Sequence, residues 1–322
     1  MYKVLDLFCG AGGFSHGIAS IFKGEHLAIE LDPFPLETYS HNYPHTQVIQ
    51  SDISSLHANE ILEVLGGPPD IIIASPPCEE YSLANPTSSA PAIERIYGTG
   101  SARLLLDTIR LISDLSPRAY IIENVAALMK NGGRDIALRE FHRAGIEEVH
   151  FNLVRSHQNG NPSKRLRLFI SNIKFSLPKR NPPTVMETIG DLPSLEYDAI
   201  FSCPEPVPNH VYNTVSDEKL KQIRKTAWGK GAKHFRASQG KTMPNWVRLY
   251  PNRYATSIIG LSRYIHPFED RLLTVREHAR LMSYPDDFVF LGPLQSQYNQ
   301  VGESVPPLIS HLIAQEVKFY IE

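Results

Sequence analysis

The sequence predicts an α/β fold: an open, mostly parallel sheet with helices on both faces, followed by a smaller irregular region. Three observations carry this. Over roughly the first 150 residues, short apolar runs bounded by Gly, Pro and Asp alternate with longer amphipathic stretches, the order expected of parallel strands joined by crossover helices. Phe151–Arg155 and Arg167–Ser171 lie close enough in sequence to pair antiparallel. From Lys174 to Arg271, proline-rich tracts such as NPPTV and CPEPVPNH break every helical or strand period except in short pieces. The 322 residues fit about two domains, and 42% hydrophobic content is enough for a real core.

Taken in order, Tyr2–Phe8, Leu27–Glu30, Gln47–Asp52, Asp70–Ala74 and Ala119–Ile122 read as strands from their Ile/Val/Leu runs and flanking turn residues. Ser54–Leu65 and Ala102–Leu115 read as helices, the second with Leu105, Ile109 and Ile112 on one face. Thr274–Met282 opens with a capping box, Thr274 and Glu277 each satisfying a free backbone N–H. Leu308–Tyr320 follows the Pro306–Pro307 start signal, and its apolar face would pack back on the sheet. The expected division is a larger domain of residues 1–173 and 290–322 and a smaller one of 174–289.

A net charge of −2 excludes a polycation that coats nucleic acid indiscriminately, so any basic surface is local. No apolar run approaches the roughly 18 to 20 residues of a membrane span, and MYKVLDLFCG does not resemble a secretory leader. The expectation is a soluble cytoplasmic protein, with no membrane partner. Cys9, Cys78 and Cys203 are odd in number, far apart and outside any CxxC pairing, against both a disulfide framework and a zinc cage. His41 and His45 have helical ligand spacing, but Pro44 intervenes and no third ligand is evident; no metal is expected.

Ligands of open parallel sheets bind beyond the carboxyl ends of the strands. Those ends collect the chain's polar and reactive residues: Gly10, Gly12, Gly13 and Phe14 after the first strand, Glu30, Asp52, Ser75-Pro76-Pro77-Cys78, and Glu123-Asn124. Glycines let backbone approach a ligand, and Glu30, 20 residues after Gly10, stands where an acid accepts from ribose hydroxyls. Asp52 can accept from an adenine amine, and Phe14 offers a π-face. This suggests a nucleoside cofactor. A tight strand-to-helix turn would use the same glycines, and the pattern is not a dinucleotide fingerprint, because Ser15 replaces the third glycine. Cys78 leaves a buried strand behind two prolines, where a thiol is either a reachable nucleophile or a packed side chain.

DLFCGAGGFSHG (Asp6–Gly17), SPPCEEYS (Ser75–Ser82), ENV (Glu123–Val125), NPSKRLRLF (Asn161–Phe169), RLLTVREHARLMSYPDDF (Arg271–Phe288) and QVGESVPP (Gln300–Pro307) resemble, in order and spacing along the whole chain, the motifs of the DNA cytosine-5 methyltransferases. The resemblance implies a Rossmann-like S-adenosylmethionine-dependent domain plus a small target-recognition domain. It implies S-adenosyl-L-methionine as cofactor, with S-adenosyl-L-homocysteine as product, held by Phe8, Gly10, Gly12, Gly13, Phe14, Glu30, Leu31, Asp52, Ile53, Pro76 and Ser304. Leu31 stands where the family often has a tryptophan, so adenine stacking would depend more on Phe14.

By the same resemblance Cys78 is the thiolate that adds to C6 of an extruded cytosine, Glu123 holds N3 and the exocyclic amine, and Arg167 binds O2, while Arg165 matches the partner arginine, as a phosphate or structural contact. Departures are Glu79 and Glu80 after the cysteine, Ser163, and Glu303 before Ser304. The stretch ahead of RLLT would read the target. There Lys219, Lys221, Arg224, Lys225, Lys230, Lys233, Arg236 and Lys241 occur without an intervening carboxylate, a pattern shared by phosphate-binding stripes and solvated faces. Expected DNA contacts are Ser82, Lys230, Lys233, Arg236, Arg248 and Arg253. The expectation is a monomer that methylates double-stranded DNA in a restriction–modification system, any cognate endonuclease acting separately. The alternatives are an RNA cytosine-5 methyltransferase or a catalytically silent cofactor- and DNA-binding homologue.

Overall fold

The computed structural model describes residues 1–77, 92–195, 207–211, 214–236, 242–260 and 263–322. The larger lobe runs β1 (Tyr2–Leu7), α1 (Gly13–Ile21), β2 (Gly24–Glu30), α2 (Pro33–Asn42), β3 (Gln47–Gln50), α3 (Ala58–Leu65), β4 (Ile71–Ala74), α4 (Ala92–Tyr97), α5 (Leu104–Leu115), β5 (Ala119–Asn124), α6 (Gly133–Arg143), β6 (His150–Arg155) and β7 (Leu166–Ser171). The sheet order is β3-β2-β1-β4-β5-β7-β6. Every pairing is parallel except those of β7, which runs antiparallel to both β5 and β6. This is the expected α/β architecture.

Strand alternation builds two cores. Along β4, Ile72 and Ala74 face one side and Ile71 and Ile73 the other. The first set joins Leu5, Leu7 and Ile122 beneath α3, α5 and α6, through Ile61, Leu105, Ile109 and Phe141. The second joins Val4 and Ile121 beneath α1 and the final helix α11 (Pro307–Ile321), through Phe14, Ile18, Ile309 and Ile313. A sheet covered on both faces buries every position, so β4 is apolar throughout as IIIA and β5 is apolar until its terminal Glu123 and Asn124, both strands being wholly buried. Gly17 lets α1 and α11 meet backbone to backbone: a Cβ there would overlap His311 N and the carbonyl carbon of Ser310.

The proline-rich stretch is more ordered than its sequence suggests. It contains α7 (Val185–Ile189), α8 (Asp217–Arg224) and a three-stranded sheet of β8 (Gly231–Arg236), β9 (Thr242–Arg248) and β10 (Tyr264–Ile265), in order β10-β9-β8. Its strands carry Lys233, Pro244 and Asn245 in place of alternating β-branched residues, so periodicity hides them. Buried arginines knit the loops. Arg248 donates to the carbonyls of Ile223, Thr226, His266 and Glu269 and to Asp270, and Arg276 to those of Pro208, Pro285 and Phe288. Irregular backbone leaves carbonyls unpaired, and guanidinium supplies five donors to satisfy them. Helix α9 (Val275–Leu281) has the expected capping box, and Arg271 grips its Glu277 with two bonds of 2.8 Å. Helix α10 (Leu294–Glu303) then leads into α11. Among the described residues no helix is long and apolar enough to cross a membrane.

Candidate active site

The strand order reverses between β1 and β4, and their exits frame a crevice. Phe8, Gly10 and Gly12 all have positive φ (58°, 53° and 92°), so the β1 exit coils tightly. For a phenylalanine this is uncommon backbone, costing about 1–2 kcal/mol and held by its surroundings. The glycines do different work. A Cβ on Gly10 would meet nothing within 4 Å, so this position opens outward. One on Gly12 would overlap the Tyr43 ring, and one on Gly13 would overlap the Tyr284 hydroxyl and lie 2.6 Å from Val305 O.

Glu30, at the end of β2, accepts from the backbone N–H groups of Gly10 (2.9 Å), Leu31 (2.8 Å) and Asp32 (2.9 Å). It therefore organises the glycine loop before any ligand arrives. Leu31 beside it is 61% exposed. Asp52 caps the turn Ile53–Ser55, and the Ser54 N–H holds its carboxyl below the ordinary aspartate value. Its exposed carboxylate stays accessible, while Ile53 is buried. On the β4 side Pro76 is buried and Ser75 N donates to Leu7 O, tying the two strand exits together. Ser304, between α10 and α11, donates to Val301 O at 2.8 Å and adjoins Gly13.

One expected contact is corrected. Phe14 is buried and packs edge-on against Phe169 with centroids 5.9 Å apart, so its ring belongs to the core under α1 and offers no face for stacking. Phe8, half-buried at the strand exit, is the aromatic ring at that loop.

Sequence reading also passed over Asp6. It lies in mid-strand, 2% exposed, taking a hydrogen bond from Ser15 Oγ, which in turn meets Tyr39 Oη at 2.8 Å. Burial, offset in part by that bond and reinforced by Glu30, pushes its pKa up to about 8. An acid inside the apolar run YKVLDLF was the available signal. Cys9 is buried, and burial pushes its thiol well up, leaving an inert packing group.

Glu123 closes β5 and is 4% exposed; its Oε1 lies 2.7 Å from Arg167 Nε on β7. The antiparallel pairing of β5 with β7 sets the end of one strand beside the start of the other and so brings these two sequence-distant residues together. Arg165 is placed apart from them. It is 1% exposed, and its Nη1 donates to Ile258 O and Gly302 O, both at 2.8 Å, bracketing the small lobe to α10. Cys78 and Ser82, with Glu79, Glu80, Cys203 and Lys241, lie outside the described residues; β4 delivers the chain to Pro77, directly before Cys78.

In the small lobe Lys230, Arg236 and Arg253 are exposed. Lys233 Nζ sits 4.1 Å over the Trp246 ring and Arg253 Cζ 4.4 Å over Tyr250, arrangements that combine cation with aromatic surface. Arg248 is a correction: at 6% exposure, with every carbonyl partner internal, it is a structural hub and presents no surface to DNA.

The whole chain matches one family model, the C-5 cytosine-specific DNA methylase, over residues 2–318. The chain belongs to that family. A Methanocaldococcus jannaschii protein with the type II methyltransferase name M.MJ0563P is 39% identical, the match covering 98% of this chain and 99% of the relative. The type II methyltransferase M1.HphI of Haemophilus parahaemolyticus is 31% identical over 97% of this chain and 86% of its own length. In fold, an Escherichia coli prophage protein described as a DNA modification methyltransferase superposes with a TM-score of 0.78 at 23% identity, over 100% of this chain and 99% of its own. The Entamoeba histolytica methyltransferase EhMeth gives 0.70 at 14% identity, over 100% of this chain and 99% of its own.

Cytosine-5 methylases use S-adenosylmethionine, and the site fits that molecule. Gly10 leaves open room over the loop, Phe8 and Leu31 supply apolar surface, and Asp52 keeps a reachable carboxylate for an amine or hydroxyl donor. Among the described residues no group of three or more His, Cys, Asp and Glu is arranged to hold a metal ion.

Proposed function

We propose that this methylase converts cytosine to 5-methylcytosine within a specific duplex DNA word, on a base swung out of the helix, as the modifying half of a restriction–modification pair. The single observation that carries the reading is the ion pair of Glu123 with Arg167, at the end of β5 beside β4. C5 of cytosine is a weak nucleophile, and a base inside the stack is out of reach. Cys78 forms a bond to C6, and the π electrons of C5=C6 move toward C5 and N3. Glu123 holds the N3 proton and accepts from the exocyclic amine, while Arg167 donates to O2 as charge builds on the ring. S-adenosylmethionine, when bound, supplies an electrophilic methyl for C5. A water molecule then takes the C5 proton, the C–H electron pair re-forms C5=C6, and the S–C6 bond breaks to free the thiolate.

Phe8, Gly10, Gly12, Gly13, Glu30, Leu31, Asp52, Ile53, Pro76 and Ser304 would hold the cofactor. Lys230, Lys233, Arg236 and Arg253, with Ser82, would contact DNA, and the protein would act as a monomer beside a separate endonuclease. The type II names of full-length relatives favour DNA over RNA.

The test is duplex DNA carrying 5-fluorocytosine at the target, which cannot lose a proton from C5. With S-adenosylmethionine it should leave a denaturation-resistant adduct in the wild type and none in Cys78→Ala; an adduct in that variant overturns the mechanism. Mapping modified cytosines in DNA and RNA from expressing cells identifies substrate and word, and methylation of RNA alone would overturn the DNA reading.

A further inference from the structure

Three segments meet at Gly302, near the end of α10. A Cβ built on it would overlap Gly260 N and the carbonyl carbon of Ile259 and lie 2.6 Å from Ile259 O. This is backbone against backbone, with no flexible side chain able to give way. Arg165, on the connection between β6 and β7, fastens the contact by donating to Ile258 O on one side and Gly302 O on the other.

The contact extends in both directions. Toward the small lobe, Arg263 Nη1 donates to Gly260 O at 2.9 Å, and the Arg263 N–H donates to Asn245 Oδ1 at 3.3 Å. That same Oδ1 accepts from Trp246 N at 2.8 Å, and Trp246 has φ 53°, unusual backbone for a bulky residue, beneath the Lys233 ammonium. Toward the larger lobe, Ser304 lies two residues on and adjoins Gly13 of the β1 exit. Arg165 is itself two residues from Arg167, the partner of Glu123.

We propose that Gly302 is a positioning residue for methyl transfer: its bare Cα sets the spacing between the basic small-lobe sheet and the strand ends that carry Glu123 and Arg167. The proposal rests on the reading that the small lobe holds the DNA. A methyl group at residue 302 must drive the 258–260 segment away by roughly 1 Å, and a misplacement of that size in a site that depends on oriented reactants can cost about 100-fold in rate. Gly260 makes an internal comparison. Its own Cβ would meet Glu303 Oε1 at 2.6 Å and Asn299 Oδ1 at 3.2 Å, the ends of side chains that can swing aside.

The experiment compares full-length Gly302→Ala and Gly260→Ala with wild type in three measurements. These are single-turnover methyl transfer to a duplex containing the mapped word, calorimetric affinity for S-adenosylhomocysteine, and hydrogen exchange of residues 255–260. Gly302→Ala should slow transfer by about 10- to 100-fold, keep the S-adenosylhomocysteine affinity within about threefold, and exchange faster across 255–260; Gly260→Ala should lose less. A wild-type rate in Gly302→Ala overturns the proposal, as does a rate loss matched by an equal loss of cofactor affinity. If Gly302→Ala does not fold, Arg165→Lys keeps the charge but shortens the reach to both carbonyls. It should show the same split between rate and cofactor affinity, and a wild-type rate there overturns the proposal. If the wild type methylates no DNA, the functional reading fails instead; exchange across 255–260 still decides the spacer, an unchanged pattern overturning it.

Discussion

Glu123 Oε1 and Arg167 Nε lie 2.7 Å apart across the β5–β7 seam, with the carboxylate 5% and the guanidinium 18% exposed. The two ends of this pair are not equivalent. Arg167 can turn to water when its partner loses charge, whereas Glu123 cannot. Glu123→Gln should therefore cut methyl transfer by about 100-fold or more with little change in melting temperature. Arg167→Ala should lose activity and also destabilise the fold by about 3 kcal/mol, because it strands a buried carboxylate. Melting curves beside single-turnover rates check this, and equal melting losses in the two variants would contradict it.

Asp6 makes stability depend on pH in a definite direction. Its pKa rises from the model-peptide value of 3.8 to about 8 on folding, so the folded state holds a proton that the unfolded chain has released. Stability should fall as pH climbs through that window and level off above about 8. Asp6→Asn, which still accepts from Ser15, should flatten the slope and be the more stable protein at pH 8. Denaturant melts from pH 5 to 9 read this directly; parallel curves for both proteins would contradict it.

Glu30 and Asp52 should separate on substitution. Glu30 fixes the Gly10 N–H of the glycine loop and the N–H groups of Leu31 and Asp32 after its own strand, so Glu30→Ala should lower both stability and S-adenosylhomocysteine affinity. Asp52 caps only a short turn, worth about 1 kcal/mol. Asp52→Ala should thus weaken cofactor binding while leaving DNA binding nearly intact. Calorimetry with unchanged cofactor affinity in Asp52→Ala would count against the cofactor map.

Salt dependence should separate the small lobe's basic residues by role. Lys230→Ala and Arg253→Ala, at exposed positions, should each reduce the slope of log affinity against log salt by about 0.9 without altering stability. Arg248→Ala removes donors from four carbonyls and Asp270, so its damage should appear in thermal melting. A slope change in Arg248→Ala without a melting change would reverse that assignment.

The periodic part of the chain was legible because a doubly covered sheet writes itself into continuous apolar runs, and β1, β4 and β5 lie where those runs place them. The smaller lobe was less so. Its strands gain stability from guanidinium groups reaching loop carbonyls, a tertiary arrangement that leaves no period behind. Phe8 and Phe14 illustrate the limit at the site itself. They share a side chain and a neighbourhood in sequence, but one sits at a strand exit and the other in the first turn of α1, and only backbone direction decides which ring meets Phe169. Arg248 misled in the same way, because sequence reports a charge and not whether carbonyls will surround it.

The meeting of α1 with α11 has a temporal consequence. Gly17 is shaped for His311 and Ser310, and Ser304 adjoins Gly13, so the first turn after β1 should gain these contacts only once a stretch almost three hundred residues downstream has left the ribosome. At ordinary elongation rates that delay is on the order of tens of seconds. On the proposed cofactor map, a chain cut short before α11 should therefore fail to bind S-adenosylhomocysteine.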